Sequence, residues 1–493
     1  MTRQVRRVAA VMLVLFAALF VNLNYLGVLR AEDLASDNRN SRTISSEYAI
    51  ERGSIIVGEG SEQIQAAKSE PTGDDVFRYR RRYPTDELYA HLTGFYSLVY
   101  GRAELEATAN SYLVGDSPEQ FARNIGDLLT GREPQGDDVV LTVDPAAQEA
   151  ARDALGDRVG AVVALEPRTG AVLALWSNPS YDPNPLASFD RDTAVAAWES
   201  EDSEEGRRNR ALRELYPPGS TFKLVTAAAA LESGVQPDDT FPDPQRYTPP
   251  LTSVGIPNFG GGLCNDGKRI TLEESLAVSC NTVFARLGVK VGAEALVEQA
   301  EAFGLNSDYE FDLPFAASRI PEADDLDEPA TAQSAIGQRD VRVTPLQMAM
   351  ITAAIANDGT LVRPRVIERV QAFNGSVVRE LEPQTLVLPG QTDAQAVSPE
   401  TAEALQRMML AVVEEGSGDE ASLPGVEVAG KTGTAQTGEG QNPTVWFTGF
   451  APLDDPQVAV AVVVPNGGDV GSEATGGRVA APIAKAVIEA ALD

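Results

Sequence analysis

The first change in the pattern of hydrophobic and polar positions comes at the amino end of the chain. Arg3, Arg6 and Arg7 precede residues 8–29, which carry no charge and are mostly apolar. Such a stretch is long enough for a helix that crosses a bilayer. The alternative is a cleaved signal peptide, but the stretch is long for one, and no convincing small-x-small cleavage site follows it. We therefore expect an uncleaved membrane anchor within residues 1–30.

Beyond residue 138 the pattern predicts an α+β domain. Two apolar β-type runs come first, followed by a helical middle, three further β-type runs and a closing helix. The β-type runs are residues 160–165, 171–175, 426–435, 444–451 and 457–464, and the helical segments are residues 271–303, 344–357 and 399–415 and a helix that begins after Pro482. This order predicts one antiparallel sheet backed by helices, together with a helical lobe.

The chain is therefore expected to have three parts. Residues 1–30 form a cytoplasmic stub and the anchor, because arginines before the span and acidic residues after it favour a cytoplasmic amino end. Residues 31–138 are polar and loop-rich, and we expect a small extended module between the membrane and the main domain. Residues 139–493 form that main domain outside the cell, beginning with a strand at 139–143 and a helix that Asp144 caps.

Composition narrows the chemistry that the chain can perform. A net charge of −32 argues against nucleic-acid binding. His91 is the only histidine, which excludes a zinc site built on two histidines and a Ser-His-Asp triad with any other base. His91 itself lies among hydrophobic residues and is expected to be structural. Two cysteines are too few for a four-thiolate site, so neither a metal nor a cofactor is predicted.

The first candidate for chemistry is residues 216–223, which read Tyr-Pro-Pro-Gly-Ser-Thr-Phe-Lys. Two prolines and a glycine prevent a helix before Ser220, whereas the residues that follow favour one up to Ser233. Ser220 and Lys223 would share a helix face. A serine needs a base before it can attack a carbonyl, and a neutral lysine one turn away can be that base. Of the six lysines, only Lys223 has a serine three residues before it.

Two further candidates lie downstream. Ser279 and Asn281 can offer a proton relay and a substrate hydrogen bond, although a helix end that both side chains cap is the alternative. Residues 430–435 read Gly-Lys-Thr-Gly-Thr-Ala in a β-type region, where an exposed edge could take an extended peptide as an added strand. A phosphate loop is less consistent with this spacing, and a plain hairpin with a surface Lys431 remains open.

The two cysteines would lie outside the membrane, where disulfides persist. A bond between Cys264 and Cys280 would close a short loop, which corresponds to about 3 kcal/mol in the chain-entropy model. The alternative is a pair of unrelated buried thiols.

Taken in order, the pairs Ser220–Lys223, Ser279–Asn281 and Lys431–Gly433 match the motif set of penicillin-recognising serine acyltransferases. Further segments extend the likeness over residues 45–490. These segments are residues 52–55, 179–184, 209–211, 344–347 and 446–450. The chain thus resembles a class B penicillin-binding protein, which is a membrane-anchored peptidoglycan transpeptidase, and it is most similar to the actinobacterial penicillin-binding protein A group. The resemblance implies the penicillin-binding transpeptidase fold.

The resemblance also implies a mechanism. Ser220 attacks the carbonyl of a D-alanyl-D-alanine stem peptide, and Lys223 takes its proton. The helix dipole and the nearby Lys431 would disfavour the charged form of Lys223. Ser279 and Lys431 relay a proton to the leaving amine. An amine of a second stem peptide then resolves the acyl-enzyme, whereas β-lactams acylate Ser220 and stay.

Substrate binding is implied in the same way. Asn281 would hold the substrate amide, and Thr432 and Thr434, with Gly433 between them, would hold the terminal carboxylate. Backbone N–H groups of Ser220 and Thr434 would form the oxyanion hole.

Three alternatives stay open at this point. A D,D-carboxypeptidase would use water in place of the acceptor amine, and a β-lactamase would need a deacylating carboxylate, for which no obvious motif is present. A largely non-catalytic scaffold of the division or elongation machinery would tolerate the loss of Ser220. Besides stem peptides and β-lactams, the family implies a membrane glycan polymerase as a partner, contacted through the anchor and the module.

Overall fold

The computed structural model describes residues 3–26, 30, 47–58, 63–117, 120, 135–436, 438 and 440–493. The helices of this part of the chain are α1 (Arg3–Asn24), α2 (Ala90–Thr93), α3 (Glu104–Thr108), α4 (Asn110–Val114), α5 (Pro145–Leu155), α6 (Arg191–Glu199), α7 (Glu201–Gly206), α8 (Lys223–Glu232), α9 (Leu272–Ala277), α10 (Asn281–Val291), α11 (Ala293–Ala302), α12 (Glu328–Ser334), α13 (Pro345–Ala356), α14 (Pro399–Glu414) and α15 (Ala481–Leu492). The strands are β1 (Ile55–Val57), β2 (Ile64–Pro71), β3 (Tyr79–Arg82), β4 (Tyr96–Ser97), β5 (Gly101–Arg102), β6 (Asp138–Leu141), β7 (Gly160–Leu165), β8 (Val172–Asn178), β9 (Thr240–Phe241), β10 (Arg246–Tyr247), β11 (Ile256–Pro257), β12 (Ile270–Thr271), β13 (Ile367–Gln371), β14 (Val377–Glu380), β15 (Ala429–Ala435), β16 (Thr444–Ala451) and β17 (Val458–Val464).

The main sheet has five strands in the order β15-β16-β17-β7-β8, and each neighbouring pair is antiparallel. These strands correspond to the two leading and three trailing β-type runs of the sequence, so the predicted α+β fold with an antiparallel sheet is confirmed. Every residue of β16 and β17 is buried, which requires cover on both faces of the sheet. Strand β15 is an edge strand of this sheet, so one of its edges has no neighbouring strand in the sheet.

Two pairs of helices cover the main sheet. Helices α5 and α15 pack against each other and against β8 and β17, respectively. Helices α13 and α14 form the second pair, in contact with β17 and β15. All residues of α13 are buried, as in a core helix without a polar face. Helices α8, α10 and α11 pack together as the predicted helical lobe.

A second sheet crosses the boundary expected between the module and the main domain. Its six strands have the order β14-β13-β6-β1-β2-β3. Strand β6 runs parallel to β1 of the module and antiparallel to β13 of the main domain. The strand expected at residues 139–143 is therefore a shared element, since its backbone groups pair with both parts of the chain.

A buried charge cluster stabilises the module within its described residues. One oxygen of Glu106 accepts a hydrogen bond from Arg52 Nε and the other accepts one from Arg81 Nε, both at 2.6 Å. The Tyr83 hydroxyl adds a contact of 3.2 Å. Residues 31–46, which the sequence also assigns to the module, lie outside the described residues.

Helix α1 covers most of the predicted anchor. Among the described residues it is the one helix long and apolar enough to cross a membrane, and its side chains are exposed. It is consistent with a membrane anchor. Residues 27–29 of the predicted span lie outside the described residues.

Candidate active site

The residues around Ser220 form a tight turn before helix α8. Two prolines exclude a helix upstream, and Gly219 has a φ of 53°, which a side chain would strain. Residues Gly219–Phe222 form a turn of 3₁₀-helix, and α8 begins only at Lys223. The prediction of an α-helix from Ser220 is therefore wrong by one turn. Because side chains three apart eclipse in a 3₁₀-helix, Ser220 and Lys223 still share a face.

The turn that carries Ser220 is fixed by two neighbouring segments. The Gly219 N–H donates to the Gly337 carbonyl at 2.9 Å, and Trp446 Nε1 donates to the Pro217 carbonyl at 3.0 Å. A Cβ on Gly337 would lie 2.0 Å from the Gly219 oxygen, so this approach requires glycine. Strand β16 and the loop after α12 thus set the position of the nucleophile candidate.

Ser279 lies where the predicted helical region breaks. Helix α9 ends at Ala277 and α10 begins at Asn281. Between them, Ser279 has a φ of 60°, which is uncommon for a residue other than glycine. Such backbone conformations cluster at functional sites. The break presents the carbonyl and hydroxyl oxygens of Ser279 to the helix that begins at Lys223.

A disulfide joins Cys264 to Cys280, with their Cα atoms 5.8 Å apart. It ties the loop before α9 directly to the segment of Ser279 and Asn281. The carboxylate of Asp243 supports this loop by accepting the N–H groups of Cys264 and two residues that follow it. Among the described residues, Asp243 and the two cysteines form the one close group of metal-ligand atoms. Because the sulfurs are bonded to each other, they offer no thiolate to a metal.

Lys431 lies on the edge strand β15 and is fully buried. Its Nζ donates to Ser279 Oγ and to the Thr432 carbonyl, both at 2.9 Å. Two residues on, a Cβ at Gly433 would lie 2.9 Å from the Pro218 oxygen, so glycine lets the strand approach the Ser220 turn. The segment is therefore a strand with a buried lysine, which excludes both the phosphate loop and the surface-lysine alternative.

Lys223 is fully buried and contacts only oxygen atoms of the Ser279 segment within the described hydrogen bonds. Its Nζ donates to the Ser279 carbonyl at 2.7 Å and to Asn281 Oδ1 at 2.8 Å, and lies 3.3 Å from Ser279 Oγ. Burial lowers the pKa of Lys223 well below its usual value, and the charge of Lys431 lowers it further. Burial also lowers the pKa of Lys431 to about 7. Burial is the largest cause of both lowered pKa values, and the spacing of the motifs in the sequence does not show that these lysines are buried.

These groups surround one cleft of about 320 Å³. It is lined by the predicted residues Ser220, Ser279, Asn281, Thr432 and Thr434, with the two lysines in contact with Ser279. Within the described part of the chain, Ser220 Oγ makes no hydrogen bond. Catalytic hydrogen bonds often tighten only once substrate is bound, so this geometry is compatible with a nucleophile. The structure thus brings the predicted site residues together.

Six lining residues were missed by the sequence analysis. They are Phe259, Val278, Ser417, Thr475, Gly476 and Gly477. Ser417 Oγ lies 2.6 Å from Thr432 Oγ1, and a Cβ on Gly476 would lie 2.1 Å from the Trp446 oxygen. The Thr-Gly-Gly before the last helix was an available signal, because paired glycines often mark a close backbone approach. Ser417 had no comparable signal.

His91 does not line this cleft. It lies in α2 and is buried, with Nε2 2.7 Å from the Gly206 carbonyl oxygen. Burial lowers its pKa to about 4. The catalytic base must therefore come from another residue type.

Comparison with known proteins agrees with this geometry. The family description "penicillin binding protein transpeptidase domain" matches residues 160–489, and "penicillin binding protein A dimerisation domain" matches residues 52–139. The chain is 40% identical to the peptidoglycan D,D-transpeptidase PbpA of Mycolicibacterium smegmatis, over 100% of this chain and 99% of that protein. It is 39% identical to the protein of the same name from Mycobacterium tuberculosis, with the same coverage.

Solved structures give the same result. The ceftriaxone acyl-enzyme of penicillin-binding protein A from M. tuberculosis aligns with a TM-score of 0.84 at 40% identity, over 91% of this chain and 99% of that chain. The penicillin G acyl-enzyme of that protein has a TM-score of 0.82 at 40% identity, over 90% and 100% of the two chains. A D,D-transpeptidase domain from Eggerthella lenta has a TM-score of 0.76 at 33% identity, over 90% and 98%.

Proposed function

The chain belongs to the penicillin-binding protein transpeptidases, and from this premise we propose that it cross-links peptidoglycan stem peptides through an acyl-enzyme on Ser220. It is a serine-type D-Ala-D-Ala transpeptidase. The observation that carries the proposal is the pair of buried lysines that converge on Ser279 beside Ser220. Their lowered pKa values supply a base near neutral pH, which a serine nucleophile requires.

Acylation begins with Ser220. Its oxygen attacks the carbonyl carbon of the penultimate D-alanine, and its proton passes to the neutral amine of Lys223. Lys223 is suited to this role because burial and Lys431 both disfavour its ammonium form. The backbone N–H groups of Ser220 and Thr434 stabilise the oxyanion. The Ser220 turn and strand β15 lie close enough for both groups to contact one oxygen, since a Cβ on Gly219 would lie 3.0 Å from the Thr434 carbonyl.

Collapse of the tetrahedral intermediate breaks the C–N bond and releases D-alanine. The leaving nitrogen takes a proton from the Ser279 hydroxyl, which the ammonium of Lys431 replaces through its contact of 2.9 Å. An amine of a second stem peptide then attacks the acyl carbon, and its surplus proton passes through Ser279 to the neutral amine of Lys431. As the ester C–O bond breaks, Lys223 returns its proton to the Ser220 oxygen, which completes the cross-link. In a β-lactam the same C–N bond is part of the ring, so the leaving amine stays tethered and the acyl-enzyme persists.

The free edge of β15 positions the donor peptide. An extended chain can hydrogen-bond to such an edge as an added strand. Thr432 and Thr434 then contact the terminal carboxylate, Gly433 allows the close approach, and Asn281 donates to the substrate amide. Thr432 Oγ1 lies 2.6 Å from Ser417 Oγ, which holds the Thr432 side chain in place.

We propose that helix α1 anchors this chemistry at the membrane. We propose that the amino end is cytoplasmic and that the catalytic domain lies outside the cell, where the cross-link is made. The charge asymmetry of residues 3–7 supports this orientation. A membrane glycan polymerase that supplies the nascent strand is the expected partner, and α1 and the module would contact it. Co-purification tests this contact: the polymerase should co-purify with the full chain and should be lost when α1 is replaced by an unrelated membrane span.

The decisive test is intact-protein mass spectrometry after reaction with a fluorescent penicillin. Wild type should gain one adduct, located at Ser220 by peptide mapping, and Ser220→Ala should gain none. Ser233→Ala is a matched control, because Ser233 ends the same helix and bonds only to the Ala229 carbonyl. Labelling of Ser220→Ala at the same peptide would overturn the proposal. Incubation with stem peptide, with and without an acceptor amine, should give a cross-linked product only with the amine.

A further inference from the structure

Helix α10, which carries Asn281 in its first turn, begins without a cap of its own. A helix leaves its first N–H groups without partners, and a serine, threonine, aspartate or asparagine just before the helix usually accepts one of them. Helix α9 has such a residue, since Thr271 accepts the N–H of Glu274. At α10 the corresponding residue is Cys280, whose side chain makes no capping hydrogen bond and is committed to the disulfide.

Asn258 supplies the missing cap from a separate loop. Its Oδ1 accepts the Thr282 N–H at 3.0 Å, although the two residues are 24 positions apart in the chain. Its Nδ2 donates to the Gly262 carbonyl at 3.0 Å and to the Pro244 carbonyl at 3.4 Å. Asn258 is buried and does not line the cleft. Any contribution that it makes to the reaction must therefore pass through α10.

The residue before Asn258 holds the Asn281 side chain itself. The Pro257 carbonyl accepts a hydrogen bond from Asn281 Nδ2 at 3.2 Å, and Asn281 Oδ1 accepts one from Lys223 Nζ at 2.8 Å. A carbonyl can only accept, so the amide of Asn281 turns its nitrogen towards Pro257 and its oxygen towards Lys223. That nitrogen carries two N–H groups, which leaves one of them for the substrate.

We propose that Asn258 is a positioning residue for acylation, because it fixes the start of α10 and with it the Asn281 amide. The proposal rests on the proposed function, in which Asn281 donates to the substrate amide. Without the Asn258 oxygen, the Thr282 N–H loses its hydrogen bond, and the first turn of α10 is no longer tied to the loop. A misplacement of about 1 Å can slow a reaction by about 10²-fold even when its cause lies away from the reacting atoms.

A double-mutant cycle separates positioning from a general effect on folding. The second-order rate of acylation by a fluorescent penicillin is measured for wild type, Asn258→Ala, Asn281→Ala and the double variant, each corrected for the folded fraction from its urea unfolding curve. Asn258→Ala should be about tenfold slower than wild type. In the Asn281→Ala background the same substitution should change the rate less than about twofold, because the side chain that Asn258 positions is then absent.

Asn265→Ala is the matched control, because Asn265 lies in the loop after Asn258 and its amide donates within that loop, to the Arg269 carbonyl. Its rate should stay within about twofold of wild type. If Asn258→Ala does not fold, Asn258→Gln takes its place in the cycle; it keeps both polar groups but moves them by one methylene, and should be about threefold slower than wild type.

Equal slowing in the wild-type and Asn281→Ala backgrounds would show that Asn258 acts on the fold alone and would overturn the proposal. An unchanged rate in the wild-type background would overturn it as well. Failure of the proposed function is a separate result, because Ser220→Ala would then still be acylated by the same penicillin.

Discussion

Two regions of the molecule contain buried cations whose surroundings differ in whether a carboxylate is present. In the module, Glu106 accepts hydrogen bonds from both Arg52 and Arg81, and all three side chains are buried. In the cleft, Lys223 and Lys431 contact hydroxyl, amide and carbonyl oxygens, and neither has a carboxylate partner in the described part of the chain.

The difference determines which groups can change their charge. Burial alone would raise the pKa of Glu106, but Arg81 and Arg52 together lower it, so the module keeps its charges. In the cleft nothing offsets the burial of the lysines, and the pKa values of both fall. Paired buried charges thus serve structure, and unpaired buried amines supply a base.

The largest effect should come from removing the amine of Lys223. Lys223→Met should slow acylation by a fluorescent penicillin at least about 10³-fold, because Ser220 loses its base. Lys223→Arg should be equally slow, since a guanidinium cannot give up its proton. The free energy of unfolding in urea should change by only about 1 kcal/mol in the methionine variant, because an uncompensated buried amine stabilises little.

Lys290→Met provides the control for this comparison, because Lys290 is an exposed lysine of the helical lobe. Its rate of acylation should match wild type. Acylation of Lys223→Met within tenfold of wild type would contradict the assignment of the base.

The module should respond in the opposite way. Glu106→Gln leaves the buried guanidinium of Arg81 without a countercharge and leaves Arg52 only Glu47 at 4.0 Å, which should lower the free energy of unfolding by about 3–5 kcal/mol. The folded fraction should still be acylated within twofold of wild type. Glu70→Gln is the control, because the ion pair of Glu70 with Lys68 is partly exposed and should contribute below about 1 kcal/mol. Equal stability of the two variants would remove the contrast between the regions.

The sequence could predict the cleft better than its surroundings. Spacing alone paired Ser220 with Lys223, and apolar β-type runs predicted the main sheet, because both depend on neighbours in the chain. The second sheet was missed because β6 pairs with β13, more than 200 residues away. Glu106 was missed as a buried group, since a glutamate in a short helical pattern is normally a solvated residue.

The third effect is a pH dependence of stability that belongs to Lys431. Its pKa is about 7 in the folded state, against 10.5 as the usual value. Between these values the unfolded chain binds more protons, so the free energy of unfolding should rise with pH. Relative to Lys431→Met, wild type should gain about 2–3 kcal/mol between pH 7 and 9.5. Urea unfolding at both pH values measures this; parallel behaviour of the two proteins would contradict it.

Glu104 is intermediate between the two regions and should give the smallest effect. Glu104 is buried, and one of its oxygens lies 2.8 Å from Nη2 of Arg213, whose side chain is partly exposed. The effect of burial outweighs that of this partner and raises the pKa of Glu104 to about 7. The folded state therefore binds more protons than the unfolded state between pH 4.5 and 7, so stability should fall as pH rises through this window. Glu104→Gln has no proton to lose, and it should gain about 2–2.5 kcal/mol relative to wild type between pH 5 and 8. If instead the variant loses stability relative to wild type over this range, the ion pair with Arg213 dominates, and Glu104 belongs with the fully paired charges of Glu106.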